Sequence, residues 1–160
     1  MRPGVDIERR RVVAWEILGA VVILGVGSAL HFAFEWSDGF RLIAPFVPVN
    51  ESIWEHLKMA FWPAVVWALI ERAPLRGSVN NFGLAKTSGI LIMTLGIAAL
   101  YYGYTAILGY NVLALDASTF VIAVIAGHVV SYSLLVGDER SPYLNRLAPI
   151  LIVIVAVLFI

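Results

Sequence analysis

Four ionisable side chains stand close together in the segment PVNESIWEHLKMAFWP, residues 48–63, and they are Glu51, Glu55, His56 and Lys58. Imidazole and carboxylate groups together suit zinc, iron or manganese, and two histidines with one carboxylate form a metal site that keeps an open position. A water molecule in that position permits metal-assisted hydrolysis or redox chemistry. The segment therefore raises the hypothesis of a metal centre.

The two other histidines of the chain, His31 and His128, extend this hypothesis. The sequence does not identify a cofactor; under the metal hypothesis it would be a divalent metal such as zinc, with the candidate ligands His31, Glu55, His56 and His128. Glu55 is also the candidate catalytic residue, since a carboxylate beside a metal-bound water can act as a general base. The spacing alone specifies no metal, because WEH is not the HExxH motif of zinc proteases.

The composition shows what kind of molecule must position these side chains. Hydrophobic residues make up 61% of the 160 residues and charged residues only 14%, whereas soluble domains have roughly 45–50% and about 25%. We therefore predict an integral membrane protein in contact with a lipid bilayer. The absence of cysteine excludes disulfides and thiolate metal sites. No basic patch exceeds Arg9–Arg11, so a nucleic-acid partner is not expected.

Apolar runs of about 20 residues predict membrane-spanning helices. Five such runs predict an all-α polytopic membrane helical bundle in a single domain, residues 1–160, with helices at about 12–34, 51–70, 85–108, 117–136 and 144–160. The first run is too long for the hydrophobic part of a signal peptide, so we expect it to be retained. The last helix is short and has no polar end, which raises the question of whether the natural chain continues past Ile160.

The positions of the basic residues predict the orientation, because lysine and arginine favour the cytoplasmic side. A cytoplasmic N-terminus in the cell membrane places nine of the eleven basic residues inside and leaves Arg41 and Lys58 as exceptions; the nine are Arg2, Arg9, Arg10, Arg11, Arg72, Arg76, Lys86, Arg140 and Arg146. The same topology places the histidine and glutamate cluster near the outer face.

Small residues recur on two of the predicted helices. Gly89, Gly96 and Gly103 are spaced by seven, and Ala123, Gly127 and Ser131 are spaced by four. Such faces allow close approach of another helix. They predict tight packing within the chain, or contact with a second copy or another membrane protein.

Each polar residue also has a structural interpretation. Asn50 and Glu51 suit the start of the second helix, as N-cap and as an anion near the positive end of the helix dipole. Glu55 and Lys58 are three residues apart and can form an ion pair. His31 can bond Glu35 or Glu55, and His128 can form an interhelical hydrogen bond near Ser131 and Tyr132. Glu16 is expected to pair with a loop arginine.

The segment NESIWEHLK, with HFAFEWSDGF and APFVPV before it and a proline at position 63, resembles a family of small prokaryotic membrane proteins. That family is classed only as a domain of unknown function, with an NESxWEHxK signature. By this resemblance the signature positions are His31, Trp36, Pro48, Asn50, Glu51, Ser52, Trp54, Glu55, His56 and Lys58. The resemblance implies the helical fold and brings no activity.

Three functional hypotheses remain open from the sequence. The first is an uncharacterised integral membrane protein with a structural or accessory role, in which the His/Glu cluster locks the first loop to the second helix. The second is a metal-dependent membrane enzyme, hydrolase-like, that acts on a lipid or another amphipathic substrate. The third is a small proton-coupled transporter, in which His128 and the outer carboxylates relay protons.

Overall fold

A computed structural model describes residues 3–160 of the chain, with side chains described from residue 8 onward. Arg2, which belongs to the predicted charge pattern, lies outside the described residues. The elements are α1 (Pro3–Trp36), a short 3₁₀ helix (Arg41–Ile43), α2 (Ile53–Leu75), α3 (Phe82–Leu108), α4 (Leu113–Leu135), α5 (Pro142–Leu147) and α6 (Pro149–Phe159). Residues 3–160 contain no strand, which confirms the all-α prediction.

Four helical segments are long and apolar enough to cross a membrane, and they are Glu8–Trp36, Phe82–Leu108, Leu113–Val136 and Pro142–Phe159. The chain is therefore an integral membrane protein. The last segment was predicted as one helix and is divided into α5 and α6 at Pro149, because proline lacks the N–H that a continuous helix needs.

The helix α2 has 23 residues but is not among these four segments. It carries the ionisable residues Glu55, Lys58 and Glu71, all of them buried against other parts of the chain. Residues 57–61 are buried at every successive position, so this part of α2 is surrounded by other parts of the chain, whereas Val66, Leu69 and Ile70 are exposed. That α2 crosses the membrane as the second of five spans stays a prediction.

The first four helices form a closed ring. The helix α1 contacts α2 and α4, and α3 contacts the same two helices. Phe61, Trp67, Met93 and Val124 lie in the apolar core of this ring, and α5 and α6 pack on the side of α3. The outward faces are apolar as well, with exposed Ile17, Val21, Leu95 and Val129, as expected for side chains that contact lipid.

The predicted small-residue faces hold α3 and α4 together, and we call their contact the seam. A Cβ atom on Gly89 would lie 2.9 Å from the Gly127 carbonyl oxygen, and one on Gly96 would lie 3.3 Å from Cβ of Ala123. Ser131 is buried at the same seam. Gly103 differs, because a Cβ there would meet nothing within 4 Å. The seam is therefore internal and ends before Gly103.

Two adjacent asparagines connect the α2–α3 turn to the end of α4. Asn81 adopts a left-handed conformation with φ +53°. Its side-chain amide donates to the carbonyl oxygens of Leu134 (3.0 Å) and Asp138 (2.9 Å), and its Oδ1 accepts from the Arg140 N–H (2.7 Å). Asn80 donates to the Gly137 carbonyl at 3.0 Å. These bonds fix the start of α3 beside the end of α4.

The seam predicts that a glycine-to-alanine substitution has different effects on stability inside and outside the contact of α3 and α4. A Cβ on Gly127 would lie 2.6 Å from the Gly89 carbonyl oxygen, so Gly127→Ala forces the two backbones apart and should destabilise the protein by about 1–3 kcal/mol. Gly103→Ala adds a methyl group in open space and should be neutral or stabilise by up to about 1 kcal/mol. Thermal unfolding in detergent measures both. Equal melting temperatures for the two variants would contradict the proposed seam.

Candidate functional site

The local structure before α2 decides which side chains can meet. Ser52 is the N-cap, since its Oγ accepts from the Glu55 N–H at 3.4 Å, and the side chain of Asn50 in turn accepts from the Ser52 N–H at 2.9 Å. The helix therefore begins at Ile53, not at Glu51, and the prediction of Asn50 as N-cap is wrong by two residues. Because Glu51 precedes the helix, it does not stack on Glu55.

Three side chains converge where α1 ends and α2 begins, and we call them the triad: His31, Glu51 and His56. One potential ligand atom from each residue lies within 4.8 Å of the other two. Nε2 of His56 is 3.4 Å from one Glu51 carboxylate oxygen, and Nε2 of His31 is 3.9 Å from the other. The two imidazole rings are 5.2 Å apart between centroids.

Hydrogen bonding orients one of the two imidazoles. Nδ1 of His56 lies 2.8 Å from the Ser52 carbonyl oxygen, so Nδ1 carries the proton and donates it. The tautomer leaves a lone pair on Nε2, the atom that faces Glu51. Metal-bound histidines are commonly held in this way, with the distal N–H donated to a backbone carbonyl. The side chains of His31 and His56 are 30% and 23% exposed and that of Glu51 is 84% exposed, so the triad is open on the side of Glu51.

Glu55, the predicted ligand and catalytic residue, faces away from the histidines. Its Oε2 accepts from the Val49 N–H at 3.1 Å and from Lys58 Nζ at 2.9 Å. Lys58 also donates to the Ala44 carbonyl oxygen at 2.9 Å. The predicted Glu55–Lys58 pair is confirmed. Because this pair binds the backbone on both sides of Pro48, it positions the loop that carries Glu51.

The structure thus unites two of the four predicted metal ligands, His31 and His56, and adds Glu51, which the sequence interpretation assigned to the helix start. The fourth, His128, lies elsewhere in the ring. Its Nδ1 contacts a carboxylate oxygen of Glu16 on α1, which agrees with the interhelical hydrogen bond given as its structural interpretation. About 22 Å of helix separates Glu16 from His31, at 1.5 Å per residue.

A second group of ionisable residues surrounds His128, and we call it the inner cluster: Glu16, Glu71, Lys86, His128 and Ser131. Each of the four ring helices contributes at least one member. Lys86 Nζ lies 2.7 Å from Glu16 Oε1 and 2.6 Å from Glu71 Oε2. The Ser131 hydroxyl donates to Glu16 Oε1 at 2.7 Å. All five are buried, Glu71 completely.

The inner cluster corrects one prediction and adds two residues that sequence reasoning missed. Glu16 pairs with Lys86 and His128 and not with a loop arginine, because closure of the ring directs the Lys86 side chain of α3 and the His128 side chain of α4 toward Glu16. Lys86 was interpreted only as an orientation charge, and Glu71 was not considered. Lys86 lies inside the predicted third helix, where an ionisable residue is costly and needs a partner. Glu71 lies just beyond the predicted end of the second helix and gave no such signal, because α2 extends to Leu75.

A protein-family model described as a family of unknown function (DUF6512) matches residues 7–160. The match extends over almost the whole chain and includes both the triad and the inner cluster. Comparisons with curated proteins and with solved structures give no match.

The Glu55–Lys58 pair generates a prediction about stability. Lys58→Met leaves the buried Glu55 carboxylate without its cation and should destabilise the protein by about 3–5 kcal/mol. The double variant Glu55→Gln/Lys58→Met should recover most of the loss, because a neutral amide still accepts from Val49. Thermal unfolding in detergent is the measurement, with the exposed Glu35→Gln as control. Failure of the double variant to recover would show that the charge pairing is not the reason for the loss.

Proposed function

We infer a function from the geometry of the triad, because the chain belongs to a family, DUF6512, whose description assigns none. We propose that His31, Glu51 and His56 bind a divalent metal ion such as zinc at one end of the helical bundle. We propose further that this ion serves hydrolysis of an amphipathic substrate at the membrane surface.

The separation of the three ligand atoms carries the proposal. A zinc ion with ligands at 2.0–2.1 Å in a tetrahedral site places neighbouring ligand atoms about 3.4 Å apart. Nε2 of His56 lies 3.4 Å from one Glu51 oxygen and Nε2 of His31 lies 3.9 Å from the other, and one ligand atom from each residue lies within 4.8 Å of the other two. Side-chain rotation would bring these atoms to the zinc spacing, and Glu51 is exposed enough to move. The bond from His56 to Ser52 supports the same conclusion, since it directs Nε2 toward the site.

The number of protein ligands indicates the reaction class. Three protein ligands leave a further position for water, which is the arrangement of catalytic zinc sites, whereas structural sites are closed. A divalent ion lowers the pKa of such a water toward neutrality. Glu55 is a positioning residue in this proposal, because it holds the loop beside Glu51 and does not touch the triad.

The surroundings of the triad indicate where the substrate would lie. Phe32 stacks on Trp36 with centroids 5.8 Å apart, and both rings are exposed, as is Trp54. Aromatic side chains of this kind concentrate at the boundary between hydrocarbon and headgroups. A site at that depth would reach the polar part of a lipid or another amphipathic molecule.

A structural role is the second candidate function, and the loop contacts favour it. Lys58 bonds Ala44, Glu55 bonds Val49, and Trp62 Nε1 donates to the Pro45 carbonyl at 2.9 Å. These bonds attach the first loop to α2 whether or not a metal is bound. In this alternative the triad only completes the attachment.

We propose that the protein lies in the cell membrane with its N-terminus in the cytoplasm, and that α2 crosses the bilayer between α1 and α3. The support is the distribution of lysine and arginine given above. In this orientation the triad faces outward and the inner cluster lies in the cytoplasmic half. Contact with a second copy would use Gly25 or Gly103, which have open space where a Cβ would stand.

Metal binding by the purified protein tests the proposed function. We expect one zinc or manganese ion per chain in detergent after metal loading and removal of excess. His56→Ala and Glu51→Gln should each weaken binding by more than about 100-fold, since loss of a ligand exceeds the 10–100-fold effect of losing a supporting residue. Isothermal titration and elemental analysis provide the measurements.

The matched control is Glu35→Gln, which neutralises another exposed carboxylate at the end of α1 and should leave the affinity unchanged. Far less than one ion per wild-type chain would refute the metal site and favour the structural role. An equal loss of affinity in the control would point to nonspecific binding by surface carboxylates.

Labelling of single cysteines tests the orientation, because these 160 residues contain no cysteine. Asn111→Cys lies in the α3–α4 loop and Ser141→Cys precedes α5, and both positions are exposed. A membrane-impermeant maleimide applied to intact cells should label only the cysteine at position 111, and permeabilised cells should show both. Labelling of position 141 in intact cells would reverse the proposed topology.

A further inference from the structure

The inner cluster has more carboxylates than cations, and this imbalance of charge plays no part in the proposed metal site. Its carboxylates are Glu16 and Glu71, and among the side chains described from residue 8 onward Lys86 is the one cation that faces both. Within the same residues the further titratable neighbour is His128, from α4. With a neutral imidazole and both carboxylates ionised, the cluster would carry one net negative charge. An uncompensated charge inside a membrane-spanning bundle costs several kcal/mol, and one additional proton removes it.

The two carboxylates differ in their surroundings, and the difference indicates which one holds that proton. Glu16 has three partners, since it contacts His128 and lies 2.7 Å from both Lys86 Nζ and Ser131 Oγ. Three such hydrogen-bond partners favour the ionised form of a carboxylate. Glu71 is completely buried and has only the ion-pair contact with Lys86. Among the described residues neither of its oxygens has a partner with hydrogen-bond geometry.

A small cavity adjoins the cluster and provides a place for water. It lies between the four ring helices and is lined by Trp67, Lys86, His128 and Ser131 among others. Nε1 of Trp67 and Nε2 of His128 are buried, and neither has a hydrogen-bond partner within the described part of the chain. The cavity has room for about one water molecule, which could accept from Trp67 and donate to His128.

Gly19 on α1 makes this arrangement possible. A Cβ at that position would lie 2.8 Å from Cε1 of His128 and 2.8 Å from Cδ1 of Trp67. Both rings therefore rest directly on the α1 backbone with their unpaired nitrogen atoms inside the bundle. The cost of leaving such donors and acceptors unpaired is about 1–3 kcal/mol each, so the site favours a polar occupant.

We propose that the inner cluster is a proton-binding site within the membrane-spanning bundle. Glu71 binds the proton as a carboxylic acid, Lys86 and Glu16 form the ion pair, and a neutral His128 donates from Nδ1 to Glu16 while Nε2 accepts from the cavity water. The ligand of the site is a proton, and its release would leave the cluster with a net charge of −1. The proposal is independent of metal binding by the triad.

Infrared spectroscopy of the protein in lipid nanodiscs tests this assignment. At about pH 7 the exposed carboxyl groups are ionised, so a protonated buried carboxyl gives a separate C=O stretching band above the amide region. Wild type should show this band, and Glu71→Gln should lose it. Glu16→Gln should lose it too, because one carboxylate then balances Lys86. Lys86→Met should about double it, since both carboxyls then stay protonated.

Glu35→Gln is the control and should leave the band unchanged. Absence of the band from wild type overturns the proposal without reference to any variant, because it means that both carboxylates are ionised and that Glu71 holds no proton. A band that persists at full intensity in Glu71→Gln also overturns it. Retained helix content and a single elution peak in each variant show that a lost band reflects the lost proton and not unfolding.

Discussion

The position of Lys86 between Glu16 and Glu71 is the interaction on which the arrangement of the ring depends. These three ionisable groups come from three different helices and are buried, and each would be costly without a polar partner. Rotation of α1, α2 or α3 about its axis would separate a charge from its partner. The pairing therefore selects one rotation for each helix, which apolar packing against other apolar helices and lipid does not do.

The small residues make this pairing geometrically possible. Gly89 and Gly127 bring α3 and α4 close enough for Ser131 to reach the same carboxylate as Lys86, and Gly19 lets His128 and Trp67 lie against α1. The inner cluster and the glycine contacts therefore depend on each other. Without the close approach of the helices the polar side chains would not reach each other. Without the polar side chains the close approach would not fix one rotation of each helix.

The sequence was sufficient for the features that depend on local patterns. Apolar runs predicted the helices, the three-residue spacing predicted the Glu55–Lys58 pair, and the spacing of Gly89 and Gly96 predicted a close contact. The partner of Glu16 was not predictable, because Lys86 lies 70 residues away and meets it only through closure of the ring. The choice of Glu51 over Glu55 beside the histidines depended on whether α2 begins at Glu51 or Ile53, a difference of two residues that the several capping residues left open.

The triad and the inner cluster act on the same pair of helices from opposite ends. His31 and Glu16 both belong to α1, while His56 and Glu71 both belong to α2. Lys86 connects Glu16 to Glu71 at one end, and a cation between His31 and His56 would connect the two helices at the other. The contacts of the inner cluster are buried, whereas the triad ends in the exposed Glu51. The triad is therefore the end of this helix pair that a ligand from solvent can reach.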